Sequence, residues 1–427
     1  MKKTIIATLL LVSYLQIACT DKCEQTRKYK RYTPVTVTVA DIQQSIKTIP
    51  AKALENPGKI YTVGNYLFIN EIKKGIHIID NSNPSAPRTV SFLSILGNGD
   101  MAVRGNILYA DSYSELVALN IADPLNIKEV GRVSGVFQLG QFDGVWWNYN
   151  AQSNLISDQR MDIVTETIKT NCEDGNSSSV SPWGWGIQSF AFDSKTAAPT
   201  SANPSSGQGG SMARFTLYDN FLYTVGQSNL QLFNIKNTSQ PIKAANINLG
   251  WGIETIFPYK DKLFIGSTTG MYIFDNKNPE NPVQMSVFQH AMACDPVVVE
   301  GNRAYVTLRS GTTCNRGLNQ LDVVDIADLR NPKLLKSYPM QNPHGLGIAL
   351  PNLFLCEGKY GLKSFDATND FDIKQMEHLT DMDAYDVIPL NSKTLLMIGK
   401  DGFYQFDYSN PKQLKLLSKI PVNRVNI

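Results

Sequence analysis

The chain has 427 residues, 42% of them hydrophobic and only 18% charged, which is enough apolar material for a large core in one domain or two. Its formal charge is +2, and once residues 1–18 are set aside 38 basic side chains face 38 acidic ones. A neutral chain without a basic stripe is a poor partner for nucleic acid.

Residues 1–18 carry Lys2 and Lys3, an apolar run from Ile5 to Val12 and the small Ala18 ahead of Cys19. That is the layout of a bacterial export signal, too short to be a convincing membrane span. Gln16-Ile17-Ala18-Cys19 resembles the lipobox of bacterial lipoproteins, with Gln16 where an aliphatic residue is usual. The resemblance implies that Cys19 becomes an acylated N-terminus, with palmitate-like chains anchoring it to the membrane, most simply the outer membrane. Residues 19–34 are charged and lack an apolar period, so they read as a tether. Residues 35–427 are expected to form a single domain.

Along that domain one phrase returns: HIIDNSNPSAP (77–87), ALNIADPLNIK (118–128), LFNIKNTSQPIK (232–243), IFDNKNPENPV (273–283), VVDIADLRNPK (323–333), SFDATNDFDIK (364–374) and QFDYSNPKQLK (405–415). Taking Asp80, Asn120, Asn234, Asp275, Asp325, Asp366 and Asp407 as anchors, the spacings are 40, 114, 41, 50, 41 and 41. A period near 41 residues marks a solenoid or propeller. Within one period, Ile253 to Phe288, four short aromatic and β-branched runs alternate with Gly, Asn, Asp and Pro turns. Four antiparallel strands make a propeller blade, and the Asn/Asp-Pro turn returns each blade's third strand as its outermost one. The fold class is therefore all-β, a β-propeller of seven blades. The alternative is eight, because GIQSFAFDS (186–194) ends like a degenerate repeat.

GIHIIDNSNPSAP, LDVVDIADLRNP and GLKSFDATNDFD resemble the LVIVD-repeat proteins, exported bacterial β-propellers often carried as lipoproteins. The likeness covers most of residues 56–420. It implies the propeller and brings no catalytic residue with it.

The spacing of 114 holds an insertion of about 73 residues, roughly 139–210. Parts are strand-like (GVWWNYN, DIVTETIKT), and the stretches NCEDGNSSSVSP and SKTAAPTSANPSSGQGGS read as loop. Trp146, Trp147, Trp183 and Trp185, four of the five tryptophans, lie there. They either pack the insertion onto the ring or offer a flat platform to a glycan or protein. The spacing of 50 reflects a longer polar loop, 309–319. Cys294 and Cys314 are expected to form a disulfide across the hairpin turn at Gly301-Asn302. Cys23 and Cys172 have no evident partner, and Cys356 reads as a buried thiol.

No HExxH, CxxC, Walker, GxGxxG or G-x-S-x-G motif occurs. No catalytic residue, metal or cofactor is assigned. His77 reads as a half-exposed strand residue. First strands line a propeller's axis, so residues just ahead of each first turn should converge at one mouth. These are Asp100, Glu254, Asp295, His344 and Asp386, with Trp251 nearby. They would hold a ligand or cap strand-end amides. Arg309, Asn315 and Asn319 of the tethered loop, with Asn342, complete the candidate binding set. The expected function is a binding or scaffold module of the envelope, non-catalytic, with an envelope protein or surface glycan as partner. A glycan-active hydrolase or lyase using the acidic mouth is the second reading, and a structural subunit of an envelope complex the third.

Overall fold

The protein is represented by a computed structural model that describes residues 22–142, 144–171, 207–290, 296–310 and 318–423. The described residues fall into two compact units, one of 22–34 with 159–171, the other of the rest.

The larger unit contains seven four-stranded antiparallel meanders among the described residues. We letter the strands of each meander A to D. The A strands are Pro57–Val63, Met101–Arg104, Phe215–Tyr218, Ile253–Tyr259, Val297–Glu300, Leu346–Ala349 and Ala384–Pro389. From the first to the seventh meander each A strand packs on the next. The seventh B strand, Thr394–Gly399, returns against the first A strand. The circle is tied where the start of the first meander meets the end of the seventh, Leu54 bridging Val422 and its carbonyl accepting from the Asn423 amide at 2.7 Å. Radial repetition buries the B and C strands between neighbours, while the D strands stay half exposed.

The recurring anchor explains each meander's shape. All seven anchors accept, through side-chain Oδ1, the amide two residues on: Asp80 from Ser82, Asn120 from Ala122, Asn234 from Lys236, Asp275 from Lys277, Asp325 from Ala327, Asp366 from Thr368 and Asp407 from Ser409, at 2.8–3.2 Å. Each such Asx turn stops the C strand and redirects it into D. The next residue's amide then donates to the A–B hairpin of the same meander, as Asn81 does to Asn65 and Ile326 to Asn302. Hydrogen bonds from Ser82, Thr368 and Ser409 hold Asp80, Asp366 and Asp407 below the usual carboxylate range.

His77 departs from expectation. It is 1% exposed, and its Nε2 lies 2.9 Å from the buried Glu71. A C strand is enclosed on both faces by neighbouring meanders, so alternation along it does not signal exposure. Burial pushes the Glu71 carboxyl up, yet His77 and the amides of Glu55 and Asn56 hold it net below its ordinary value. The same device recurs at Glu357 and Lys363, 2.6 Å apart, with the Gln341 amide as donor.

Inside the insertion, Leu139–Phe142 and Val145–Asn150 pair as a hairpin, and Val145–Asn150 pairs with the start of Leu155–Asn171. Trp147 packs inward with Phe142, Tyr113, Ile156 and Ile42. Ile42 lies on a short helix, Val39–Ser45, whose Thr38 and Asp41 form a capping box.

The smaller unit is a two-stranded ribbon. The segment expected as a tether is instead part of a strand, Lys22–Thr38, joined to the far end of Leu155–Asn171. Cross-strand pairs explain why so charged a segment is extended: Arg27 meets Glu166 at 3.2 Å, Arg31 meets Asp162 at 3.8 Å and Lys169 meets Glu24 at 3.3 Å. No helix among the described residues is long and apolar enough to cross a membrane. Cys19, Cys172, Cys294, Cys314, Trp183, Trp185 and the 186–194 repeat lie outside the described residues, and with them the lipidation, disulfide and eight-blade readings.

Candidate functional site

Each A strand starts at one end of the ring, where the D–A connections and B–C turns gather. The Asx turns lie at the other end. At the first end, three neighbouring meanders bring together Lys59, Asp100 and Arg214. Asp100 is 3% exposed and forms an ion pair with Lys59. Its Oδ2 also accepts the Arg214 backbone amide at 2.6 Å, and its Oδ1 accepts the Met101 amide at 2.7 Å. Behind it Asp111 accepts through Oδ1 from the Gly99 and Asp100 amides and from Asn98 Nδ2, at 2.7, 2.9 and 2.9 Å.

Desolvation dominates this cluster. It raises Asp111 to about 6, with the Asp100 charge adding to the rise, while the two amides and Lys59 oppose it. Burial lowers Lys59 and Arg214, and the neighbouring carboxylates restore part of that loss. Arg214 donates through Nη2 to the Ile253 carbonyl at 3.3 Å and senses the charges of Asp100, Glu254 and Asp111. Its Nε is buried without a partner among the described residues.

Lys59 and Arg214 are absent from the sequence-derived set, although a signal existed. Lys59 stands 41 residues before Asp100, and Arg214 stands 114 after it, the same interval that separates Asn120 from Asn234. All three occupy one repeat position, so successive blades present +, − and + there.

The axis itself is filled. Gly207 to Ala213, the end of a stretch expected to be loop, runs among the A strands. Gln208–Gly209 pairs antiparallel with Tyr61 and Thr62. The Gly207 amide donates to Val103 O at 2.9 Å, its carbonyl accepts from Tyr61 OH at 2.9 Å, and Ala213 O accepts the Ile256 amide at 2.9 Å. Ser211 Oγ takes the Leu346 amide at 3.2 Å. A Cβ on Gly207 would lie 2.3 Å from the Tyr61 ring, so only glycine lets this backbone approach so closely.

The remaining predicted residues divide into four groups. Asn342 and His344 meet at 3.0 Å, and the His344 ring lies 5.8 Å from that of Tyr385. Asp386 is 0% exposed, within the seventh A strand. Asn319 accepts the Ser310 amide at 3.0 Å and pins the base of the long loop, with Arg309 buried beside it. Asp295 and Asn315 lie outside the described residues. Among those described, no group of three or more His, Cys, Asp or Glu could hold a metal.

Trp251 is 62% exposed, and Trp146 of the insertion, 41% exposed, stacks on it at 5.8 Å with 27° between the rings. Two tryptophans far apart in sequence thus form one exposed stack.

The LVIVD repeat is matched over residues 58–92 and 292–339, which cover most of the first and fifth meanders. No curated protein sequence matches the chain. Among solved structures, the periplasmic gluconolactonase of Pseudomonas aeruginosa is similar at 8% identity and a TM-score of 0.52, over 86% of this chain and 96% of the other. Kluyveromyces lactis Hsv2 is similar at 10% identity, over 87% and 100% of the two chains, with a TM-score of 0.47. BamB from Moraxella catarrhalis is similar at 8% identity, over 86% and 97%, with a TM-score of 0.42. At such identities the likeness extends to fold alone. The closed circle of meanders, the Asx rhythm and the likeness to the gluconolactonase lead to one statement: the chain is an all-β propeller that carries LVIVD repeats at residues 58–92 and 292–339.

Proposed function

We propose that this protein is an exported, lipid-anchored binding module of the cell envelope, acting without catalysis. The observation that carries the reading is the state of the axial mouth. Asp100 and Asp111 are committed to an ion pair and to backbone amides, and residues 207–213 fill the axis behind them. Catalytic carboxylates need access to substrate and a place for its reacting bond. What remains accessible on this face is a recognition surface, the Trp146–Trp251 stack with half-buried Arg214 and Glu254. Cys19 after the export signal supplies the anchor in this reading, and the outer membrane is the site.

The test is affinity capture from intact cells with the lipidated protein, its Trp251→Ala variant and an Arg330→Ala variant altered at the opposite end of the ring. The expected result is that Trp251→Ala loses the captured material and Arg330→Ala keeps it. Equal recovery by all three would remove the mouth as the binding face. Metabolic labelling with an alkyne fatty acid, with Cys19→Ser as control, reads the anchor separately.

A further inference from the structure

We propose that Trp251 and Trp146, with Arg214 and Glu254 beside them, form a subsite for a neutral pyranose of an envelope or extracellular glycan. This rests on the binding reading above and names its ligand class.

The chain is built to hold Trp251 out. Gly250 and Gly252 flank it at φ 85° and 91°, where other residues are strained. A Cβ on Gly252 would also fall 2.2 Å from Thr268 Oγ1. The Asn248 side chain accepts the Gly250 amide at 3.1 Å, and the Gln227 carbonyl accepts the amides of Gly252 and Ile253 at 2.9 and 3.1 Å. The loop is therefore fixed, and the indole on it is exposed by construction. Trp146 comes from a different element, Val145–Asn150, where Val145 and Trp147 turn inward and Trp146 and Asn148 outward. In the stack both indoles stay exposed, Trp251 at 62% and Trp146 at 41%. A preorganised aromatic face of this kind loses little entropy on binding.

The polar groups beside it narrow the ligand. Arg214 donates through Nη2 to the Ile253 carbonyl, two residues from Trp251. Glu254 is the next residue along and lies within the Arg214 field. A guanidinium offers only donors and a carboxylate only acceptors. A sugar hydroxyl uses both, whereas an anionic ligand would meet the Glu254 carboxylate at the same place. The apolar surface is two indoles set among Asn148, Gln227 and Asn248. That matches the apolar face of a sugar ring and falls far short of the roughly 800 Å² per partner of a stable protein interface.

The experiment titrates the full mature chain in detergent micelles with cellohexaose, xylohexaose, mannohexaose, maltohexaose and chitohexaose, with polygalacturonate as the anionic arm. Tryptophan fluorescence and calorimetry are the readouts. At least one neutral oligosaccharide should bind and shift the emission. Trp251→Ala should weaken binding at least tenfold, and Trp251→Phe should restore most of it, with the circular dichroism spectrum of each variant unchanged. Binding of polygalacturonate alone, no binding of any probe, or equal binding by Trp251→Ala overturns the assignment. If no oligosaccharide binds yet Trp251→Ala still loses its captured envelope partner, the ligand class is wrong and the binding face stands. If capture too is unaffected, both fall.

Discussion

Replacing Asp111 with Asn tests the electrostatics of the mouth most directly. Asp111 is raised to about 6, chiefly by burial and then by the adjacent Asp100 charge, against about 3.9 in an unfolded chain. The folded state therefore holds its proton over a range where the unfolded state has lost it. Stability contributed by the protonated form is present below about pH 4, falls as pH rises through about 6, and stays lost above. At about 1.4 kcal/mol per pKa unit, the two-unit displacement amounts to about 3 kcal/mol. Asn can keep accepting from Gly99, Asp100 and Asn98 through Oδ1 and carries no charge. For a unit of roughly 360 residues, 3 kcal/mol corresponds to about 4 °C in Tm. Asp111→Asn should match the native protein near pH 4 and melt about 4 °C higher at pH 8, measured by differential scanning calorimetry across that range. Titrating groups outside this cluster are common to both proteins and cancel in the difference. A Tm difference that is the same at pH 4 and pH 8 would refute the argument.

Glu71→Ala leaves His77 buried beside a lost partner and orphans the amides of Glu55 and Asn56. The expected loss is about 3–5 kcal/mol, read by urea unfolding. Gly207→Ala drives a methyl against the Tyr61 ring and the Thr62 carbonyl, 2.3 and 2.6 Å from the ideal Cβ position. It should cost about 1–3 kcal/mol and make the chain near residue 207 cleavable in limited proteolysis. Asn234→Ala removes one Asx bond of the seven, to Lys236, and should cost about 0.5–1.5 kcal/mol while leaving the circular dichroism spectrum unchanged.

The repeat was legible because an Asx turn is local: anchor and amide are two residues apart, so every blade repeats the same short phrase. The mouth was harder to read. Counting back a fixed number from each hairpin turn fails where A strands carry bulges, as between Ile253 and Thr255 and between Ala384 and Asp386. Lys59 and Arg214 answer to the period itself, which resumes in register after the insertion. The axial segment escaped because glycine-rich composition reads as loop. Those glycines are required where a backbone must lie against Tyr61, and composition does not separate the two cases. Trp146 and Trp251 share no local signal at all, since they lie 105 residues apart and only tertiary packing sets them together.

The axial segment also alters how the repeats depend on one another. In an open solenoid each repeat touches only its neighbours, and stability grows as a sum along the array. Here one strip of chain, emitted between the second and third meanders, is bonded to the first at Tyr61 and Thr62, to the second at Val103, to the fourth at Ile256 and to the sixth at Leu346. Its partners are complete only when the sixth meander has been laid down, so no early subset of blades possesses a finished interior. Loss of any one of those blades is felt by the others through the strip they share, and the ring should unfold as a single cooperative body.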